Sequence, residues 1–435
     1  MYQAEKVFPE APVSMHGELK VPGDKSISHR SVMFGSLAEG LTEVSGFLNS
    51  ADCRSTISCF RALGIPIDLD EEKDRVLIHG RGLNGLREAD QTLDTGNSGT
   101  TTRMISGILA GQNFESHLNG DASIQNRPMK RIMEPLQEMG ARITSDRGND
   151  CAPLTIRPSH LKGITYHTKV ASAQVKSCIL LAGLYADGET TVIEPALSRD
   201  HTERMLSAFG AKVIREPEKH KATIFSHPKL SGQKIAVPAD ISSAAYFLAA
   251  GLILPDSEIT LKDVNINPTR AGILDVIQKM NGNFSIENKR LVSGEEVADL
   301  TVRSTSLQGC RIEGDLIPRL IDEIPVIAVM AAFAEGDTLI KDAAELRVKE
   351  SDRIQSISEN LQAMGADLEE RPDGMLIHGG KALHGTSIQT HMDHRIAMAF
   401  TIAGLAAEGA VNLDQPSCVN ISYPTFYEEV ESLID

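Results

Sequence analysis

The chain repeats itself at a period of about 70–80 residues, and this constrains the fold more than any other feature. One recurring segment is an amphipathic helix closed by glycine and followed by a strand. It reads RSTISCFRALGIPI to Gly64, KRIMEPLQEMGARI to Gly140, TERMLSAFGAKV to Gly210, AGILDVIQKMNGNF to Gly282 and DRIQSISENLQAMGADL to Gly365. Ile132, Met133, Leu136 and Met139 illustrate the helical spacing, and each glycine stands where a helix needs a left-handed residue just past its end. A sixth copy, PTFYEEVESLID, ends with the chain. The second recurring segment is a helix that is apolar all round beyond its first turn, as in DISSAAYFLAAGLIL and DEIPVIAVMAAFAEG, and a helix with no polar stripe is buried on every side. Six strand–helix–strand–helix–strand–strand units fill the length. The expected architecture is therefore α/β (α+β), with interior helices wrapped by sheets in two domains of three βαβαββ units. The natural seam lies near Val237–Asp240.

Composition bounds the function. The 435 residues carry 43 Lys and Arg against 59 Asp and Glu, a formal charge of −16. That balance excludes the basic footprint of a nucleic-acid or anionic-membrane binder, so any anionic ligand must be held by a local cluster of bases. The apolar run Ile241–Leu254 is shorter than the roughly 18–20 residues that cross a bilayer and reads as a core helix. The first twenty residues lack the apolar core of a signal peptide. Cys53, Cys59, Cys151, Cys178, Cys310 and Cys418 are scattered, as reduced thiols of a cytoplasmic protein would be.

Polar residues of the buried helices gather at their first turns: Asp24–Arg30, Asn97–Thr100, Ser172–Gln174, Asp240–Ser243, Asp322–Glu323 and Asp393–Arg395. Ser, Asn and Asp there can simply cap free N–H groups. Lys25, Arg30, Arg103, Lys176 and Arg395 do not fit, because a cation in the first turn opposes the helix dipole by roughly 0.3–1 kcal/mol. Repeated misplacement points to compensating anions, and helix N-termini already bind phosphate and carboxylate. Two further stretches are rich in bases: Asn126–Arg131 and Arg347–Arg353. In the second, Lys349 and Arg353 share a helix face beside Glu350, a carboxylate among cations that could shuttle a proton.

Val21-Pro22-Gly23-Asp24-Lys25-Ser26-Ile27-Ser28-His29-Arg30, Asp94–Arg103 and Arg347–Ile354 resemble the signatures of the EPSP synthase (3-phosphoshikimate 1-carboxyvinyltransferase) family. The resemblance also covers Asp121–Arg131, Ser172–Ser177, Ser198–Met205, Asp322–Glu335 and Met392–Met398, nearly the whole chain. Ser172-Ala173-Gln174-Val175-Lys176-Ser177 is more similar to the class II bacterial type. The resemblance implies transfer of the enolpyruvyl group of phosphoenolpyruvate to the 5-hydroxyl of shikimate 3-phosphate. The products would be 5-enolpyruvylshikimate 3-phosphate and phosphate, on the shikimate route to chorismate and aromatic amino acids. It implies no cofactor or metal, a cytoplasmic monomer, and domains of residues 1–22 with 239–435 and of residues 23–238, with the active site in the cleft between them.

Carried over motif by motif, the family pattern assigns shikimate 3-phosphate to Lys25, Ser26, Arg30, Ser172, Ala173, Gln174, Arg199, Asp322 and Lys349. It assigns phosphoenolpyruvate to Lys25, Gly99, Arg127, Gln174, Arg353 and Arg395. Each substrate brings a phosphate and a carboxylate, which suits a set of seven cations, and Gly99 lets backbone approach a ligand. The implied catalytic residues are Asp322, which takes the 5-hydroxyl proton, and Glu350 with Lys25, which deliver a proton to C3 of phosphoenolpyruvate. The sequence departs from class I members at Asn420-Ile421-Ser422-Tyr423-Pro424, which offers no substrate-facing Lys. Some glyphosate-tolerant class II members carry Ala at the position of Gly99. The enolpyruvyl transferase that acts on UDP-N-acetylglucosamine is the nearest alternative, but it has Lys-Asn where this chain has Lys25-Ser26. Gly80–Gly85 matches G-x-G-x-x-G without a following βαβ unit and reads as a loop. His391, Asp393 and His394 read as structural rather than metal-binding.

Overall fold

A computed structural model describes residues 13–435. Expectations for residues 1–12 lie outside the described residues. Buried and outer helices alternate along the chain: α1 (Lys25–Leu37), α2 (Ala51–Ala62), α3 (Gly99–Ala110), α4 (Lys130–Glu138), α5 (Ala173–Gly183), α6 (His201–Phe209), α7 (Ile241–Ile253), α8 (Gly272–Lys279), α9 (Ile324–Phe333), α10 (Arg353–Ala363), α11 (His394–Ala406) and α12 (Phe426–Leu433). The odd-numbered helices are the apolar ones, buried along nearly their whole length. Several of their hydroxyls are satisfied locally. Ser31 and Ser36 donate to the carbonyls of Ile27 and Val32 at 2.8 and 2.7 Å, so burial leaves them no unmet hydrogen bond.

The sheets repeat one topology. Strand Leu93–Asp94 runs parallel to Ser116–Asn119 across α3, and a hairpin of Arg142–Ser145 and Leu154–Arg157 adds antiparallel strands after α4. A buried helix makes the parallel crossover in four of the six sheets, and an outer helix leads into each hairpin. Five sheets have four strands, while the pair Ser387–Ile388 and Asn412–Leu413 stays two-stranded among the described residues. Two first strands are exchanged along the chain. His16–Leu19 pairs with Glu258–Asn265, and Lys234–Ala236 pairs with Glu39–Ser45, both in parallel.

That exchange explains the division into two compact units. One contains the stretch ending at Pro22, Pro238–Leu291 and Glu296–Asp435, and the other contains Gly23–Val237 and Val292–Glu295. The break falls between residues 237 and 238, one residue before the position read from the sequence. The four residues Val292–Glu295 were not foreseen in the second unit. They are held there by Ala236 N–H donating to Ser293 Oγ at 2.9 Å and by the buried His201 Nδ1–Glu295 Oε1 contact at 2.8 Å. Each unit has its own apolar core: Phe247, Ile327, Met330 and Phe400 in the first, Phe34, Ile105, Leu180 and Phe209 in the second.

The helix ends follow backbone sterics. Gly64, Gly140, Gly210 and Gly365 have φ of +87°, +101°, +107° and +93°. In the fourth copy Asn281 takes the left-handed position at φ +60°, and Gly282 is not left-handed, because Asn is among the few side chains that tolerate it. Gly80–Gly85 continues the strand Arg75–Arg81 into a turn, and no helix follows until α3. Tyr423 lies in the core against Phe247 and Phe426 and donates to Glu429. No helix of the described residues is long and apolar enough to cross a membrane.

Candidate active site

In the unit containing Gly23–Val237, cations collect at the starts of α1, α3 and α5. Asp24 caps α1 by accepting from the Ile27 amide at 3.0 Å, which leaves the next residue, Lys25, to direct its ammonium to Asp52 Oδ2 at 2.9 Å. One turn on, Arg30 is 3% exposed. It donates to Thr202 Oγ1 (2.7 Å), Ser177 Oγ (2.9 Å) and the Ser26 carbonyl (2.9 Å). Burial lowers its pKa to about 10, partly offset by the nearby Glu203 and Asp24 carboxylates, and the Arg199 guanidinium also acts to lower it. Arg199 lies three residues before Thr202, which accepts from Arg30.

Close helix packing sets the rest of this cluster. A Cβ on Gly107 of α3 would stand 2.2 Å from the Cys178 carbonyl of α5, so only glycine allows this approach. It brings Arg103 Nη1 within 2.6 Å of Gln174 Oε1, while Gln174 Nε2 donates to Thr100 Oγ1 at 2.9 Å. Arg127 donates to the Asn97 carbonyl at 3.3 Å, beside Gly99 at the first turn of α3. Ser98 caps α3 through the Thr101 amide at 3.1 Å. Ser172 occupies the corresponding position of α5 and makes no side-chain cap, so capping does not account for it. Ala173 follows as the first residue of that helix.

The other unit brings together Asp322, Lys349, Glu350, Arg353 and Arg395. Asp322 Oδ1 lies 3.6 Å from Lys349 Nζ and 3.5 Å from Arg353 Nη1, and its Oδ2 lies 3.9 Å from Arg395 Nη2. Arg353, 1% exposed, donates from Nη2 to Glu350 Oε2 at 2.6 Å and from Nε to Asp393 Oδ2 at 2.8 Å. Asp393 also caps α11 through the Arg395 amide at 2.9 Å and accepts from Ser351 Oγ at 3.0 Å. Burial penalises the charge of Arg353, yet Asp393 and Glu350 more than compensate and raise its pKa; for Arg395, Asp322 does the same. Burial lowers the pKa of Lys349 despite Asp322. The result is a carboxylate flanked by three cations, with a second carboxylate, Glu350, tied to one of them.

The structure sorts the misplaced first-turn cations into two kinds. Lys25, Arg30 and Arg395 lie with the assigned residues of their units. Lys176 is enclosed by two internal carboxylates, Glu194 Oε2 at 2.9 Å and Glu203 Oε1 at 2.8 Å, where Lys25 pairs with Asp52, and Arg103 donates to Gln174. The inference of an external anion fails for Lys176, since sequence spacing does not show that strand and outer-helix carboxylates fold over it. Asp52 and Asp393, which fix Lys25 and Arg353, were not foreseen as site partners. Asp393 could have been found as a helix cap next to Arg395, whereas Asp52 sits in the first turn of an outer helix and gave no signal.

Bases at the N-terminal turns of buried helices, repeated through an α/β fold, suit anionic ligands. The particular family follows from comparison. The profile of EPSP synthase (3-phosphoshikimate 1-carboxyvinyltransferase) matches residues 9–430, and the chain belongs to that family. It is 54% identical over 419 residues to the 3-phosphoshikimate 1-carboxyvinyltransferase of Thermoanaerobacter sp. (strain X514), covering 96% of this chain and 98% of the relative. It is 51% identical over 429 residues to that of Bacillus thuringiensis (strain Al Hakam), covering 99% of each. The solved EPSP synthase from Acinetobacter baumannii superposes with a TM-score of 0.87 at 44% identity, covering 99% of this chain and 98% of that one.

Proposed function

We propose that these residues serve the family's reaction: transfer of the enolpyruvyl group of phosphoenolpyruvate to the 5-hydroxyl of shikimate 3-phosphate, with release of phosphate. The observation that carries this reading is Asp322, a carboxylate 3.5–3.9 Å from Lys349, Arg353 and Arg395. A general base with anion-holding groups already around it suits an alcohol that must be deprotonated beside two polyanions. Shikimate 3-phosphate is held by Lys25, Ser26, Arg30, Ser172, Ala173, Gln174, Arg199, Asp322 and Lys349. Phosphoenolpyruvate is held by Lys25, Gly99, Arg127, Gln174, Arg353 and Arg395.

In the mechanism, Glu350 with Lys25 delivers a proton to C3 of phosphoenolpyruvate, which makes C2 electrophilic. Asp322 removes the 5-hydroxyl proton as that oxygen bonds to C2, giving a tetrahedral intermediate that keeps its phosphate. Loss of a C3 proton to Glu350 or a neighbouring group re-forms the double bond and expels phosphate. Fixed cations around the intermediate supply electrostatic stabilisation with no reorganisation at the moment of reaction. The protein works as a cytoplasmic monomer, as the family pattern implies. The test is phosphate release from shikimate 3-phosphate plus phosphoenolpyruvate, run beside phosphoenolpyruvate plus UDP-N-acetylglucosamine. Release only with the first pair is expected; release only with the second would overturn the reading.

A further inference from the structure

Lys176 is 1% exposed and lies on α5, two residues after Gln174. A fully buried ammonium is costly unless paired and hydrogen-bonded, and this one is paired twice. Its Nζ reaches Glu194 Oε2 at 2.9 Å, just past the strand Thr190–Ile193, and Glu203 Oε1 at 2.8 Å on α6, and it donates to the Ser198 carbonyl at 3.3 Å. Both carboxylates hold the ammonium charged and raise its pKa against the penalty of burial. Glu194 Oε2 also accepts from the Ser198 amide at 3.3 Å. The next residue of α5, Ser177, bonds Thr202 Oγ1 at 2.6 Å, and both hydroxyls accept from Arg30.

Two consecutive residues of one buried helix therefore tie down the segment from Glu194 to Glu203 at both ends and at Ser198. That segment carries Arg199. We propose that Lys176, with Glu194 and Glu203, is a positioning residue that fixes Arg199 and Arg30 for the phosphorylated shikimate substrate. The inference rests on the assignment of Arg199 and Arg30 to that substrate. The clasp touches no reacting atom. It replaces the loop entropy that would otherwise be lost at each binding event with a preformed geometry.

The experiment compares K176M, the charge-free triple variant K176M/E194Q/E203Q, and R199A with the parent enzyme. The triple variant removes the unpaired carboxylates that a lone Lys176→Met would leave buried, so it keeps the test alive if the single variant does not fold. Shikimate 3-phosphate affinity is measured by equilibrium titration, and KM for both substrates by phosphate release. In the folded Lys176 variant, affinity for shikimate 3-phosphate should weaken tenfold or more while KM for phosphoenolpyruvate stays within threefold. A change below threefold in shikimate 3-phosphate affinity, or equal losses for both substrates, overturns the proposal. R199A separates the two layers: if it leaves shikimate 3-phosphate affinity unchanged, the site assignment fails. If R199A weakens binding and the Lys176 variants do not, the clasp alone fails.

Discussion

Gly99→Ala tests the proposed assignment of Gly99 and Arg127 to phosphoenolpyruvate with a single methyl group. A Cβ there would lie 2.9 Å from Arg103 Nη1, 2.9 Å from Arg127 Nη2 and 3.0 Å from Arg127 Cζ. Carbon contacts are comfortable at about 3.5 Å or more, so the two guanidinium groups must retreat by about half an ångström. Gly99 opens α3 and does not have a positive φ, so the alanine backbone fits, and the loss of unfolded-state freedom contributes roughly 0.4–1 kcal/mol in favour of the fold against the cost of moving the guanidinium groups. Binding should move the other way. A charge-assisted hydrogen bond from Arg127 to the ligand is worth about 1.5–3 kcal/mol, so its disturbance should raise KM for phosphoenolpyruvate roughly 10- to 100-fold. Steady-state phosphate release at saturating shikimate 3-phosphate, with a thermal unfolding scan, reads both effects. A KM within twofold of the parent, with the fold intact, would refute the placement of Arg127 and Gly99 at this ligand.

Asp322→Asn and Glu350→Gln should each lower turnover by about 10²–10⁴-fold, the usual worth of a positioned acid or base. Substrate affinity should hold or tighten in Asp322→Asn, since a negative charge leaves a cluster of three cations; stopped turnover with lost binding would argue against the base role. His29 is fully buried beside Thr56, and burial, then Lys25 and Arg30, keeps its pKa well below 6.5. The unfolded chain protonates this histidine first as pH falls, so the stability it contributes is complete above about pH 6.5 and declines below it by about 1.4 kcal/mol per pH unit. Urea unfolding of the parent at pH 7.5 and 5.0 should show a larger loss than the same pair for His29→Gln, and parallel losses would contradict this. Gly365→Ala places a side chain at φ +93° and a Cβ 2.5 Å from His384 Nε2, so it should destabilise by about 1–3 kcal/mol, seen as a lower unfolding midpoint without a change in KM.

Much of the architecture was legible because burial leaves a periodic trace. The six all-apolar segments could only be buried helices, and α1, α3, α5, α7, α9 and α11 are those helices. The outer helix ends were legible for the same kind of reason: a left-handed residue is needed there, and glycine announces it. The fourth copy shows the limit, since Asn281 and Gly282 are both candidates and only the traced backbone shows that asparagine takes the turn. The exchange of His16–Leu19 and Lys234–Ala236 between sheets left no local signature, because a strand's composition says that it pairs but not with which partner.

Charge was legible in kind but not in purpose. The sequence by itself determined that lysines and arginines sit where helix dipoles oppose them, and therefore that anions should gather nearby. Only the tertiary structure decided which anion: Glu194 and Glu203 for Lys176, Asp393 and Glu350 for Arg353. The physical reason is range. Helix capping and hydrophobic periodicity act over a few neighbouring residues, whereas a buried ion pair joins groups such as Arg353 and Asp393, distant along the chain and adjacent only once the helices have packed.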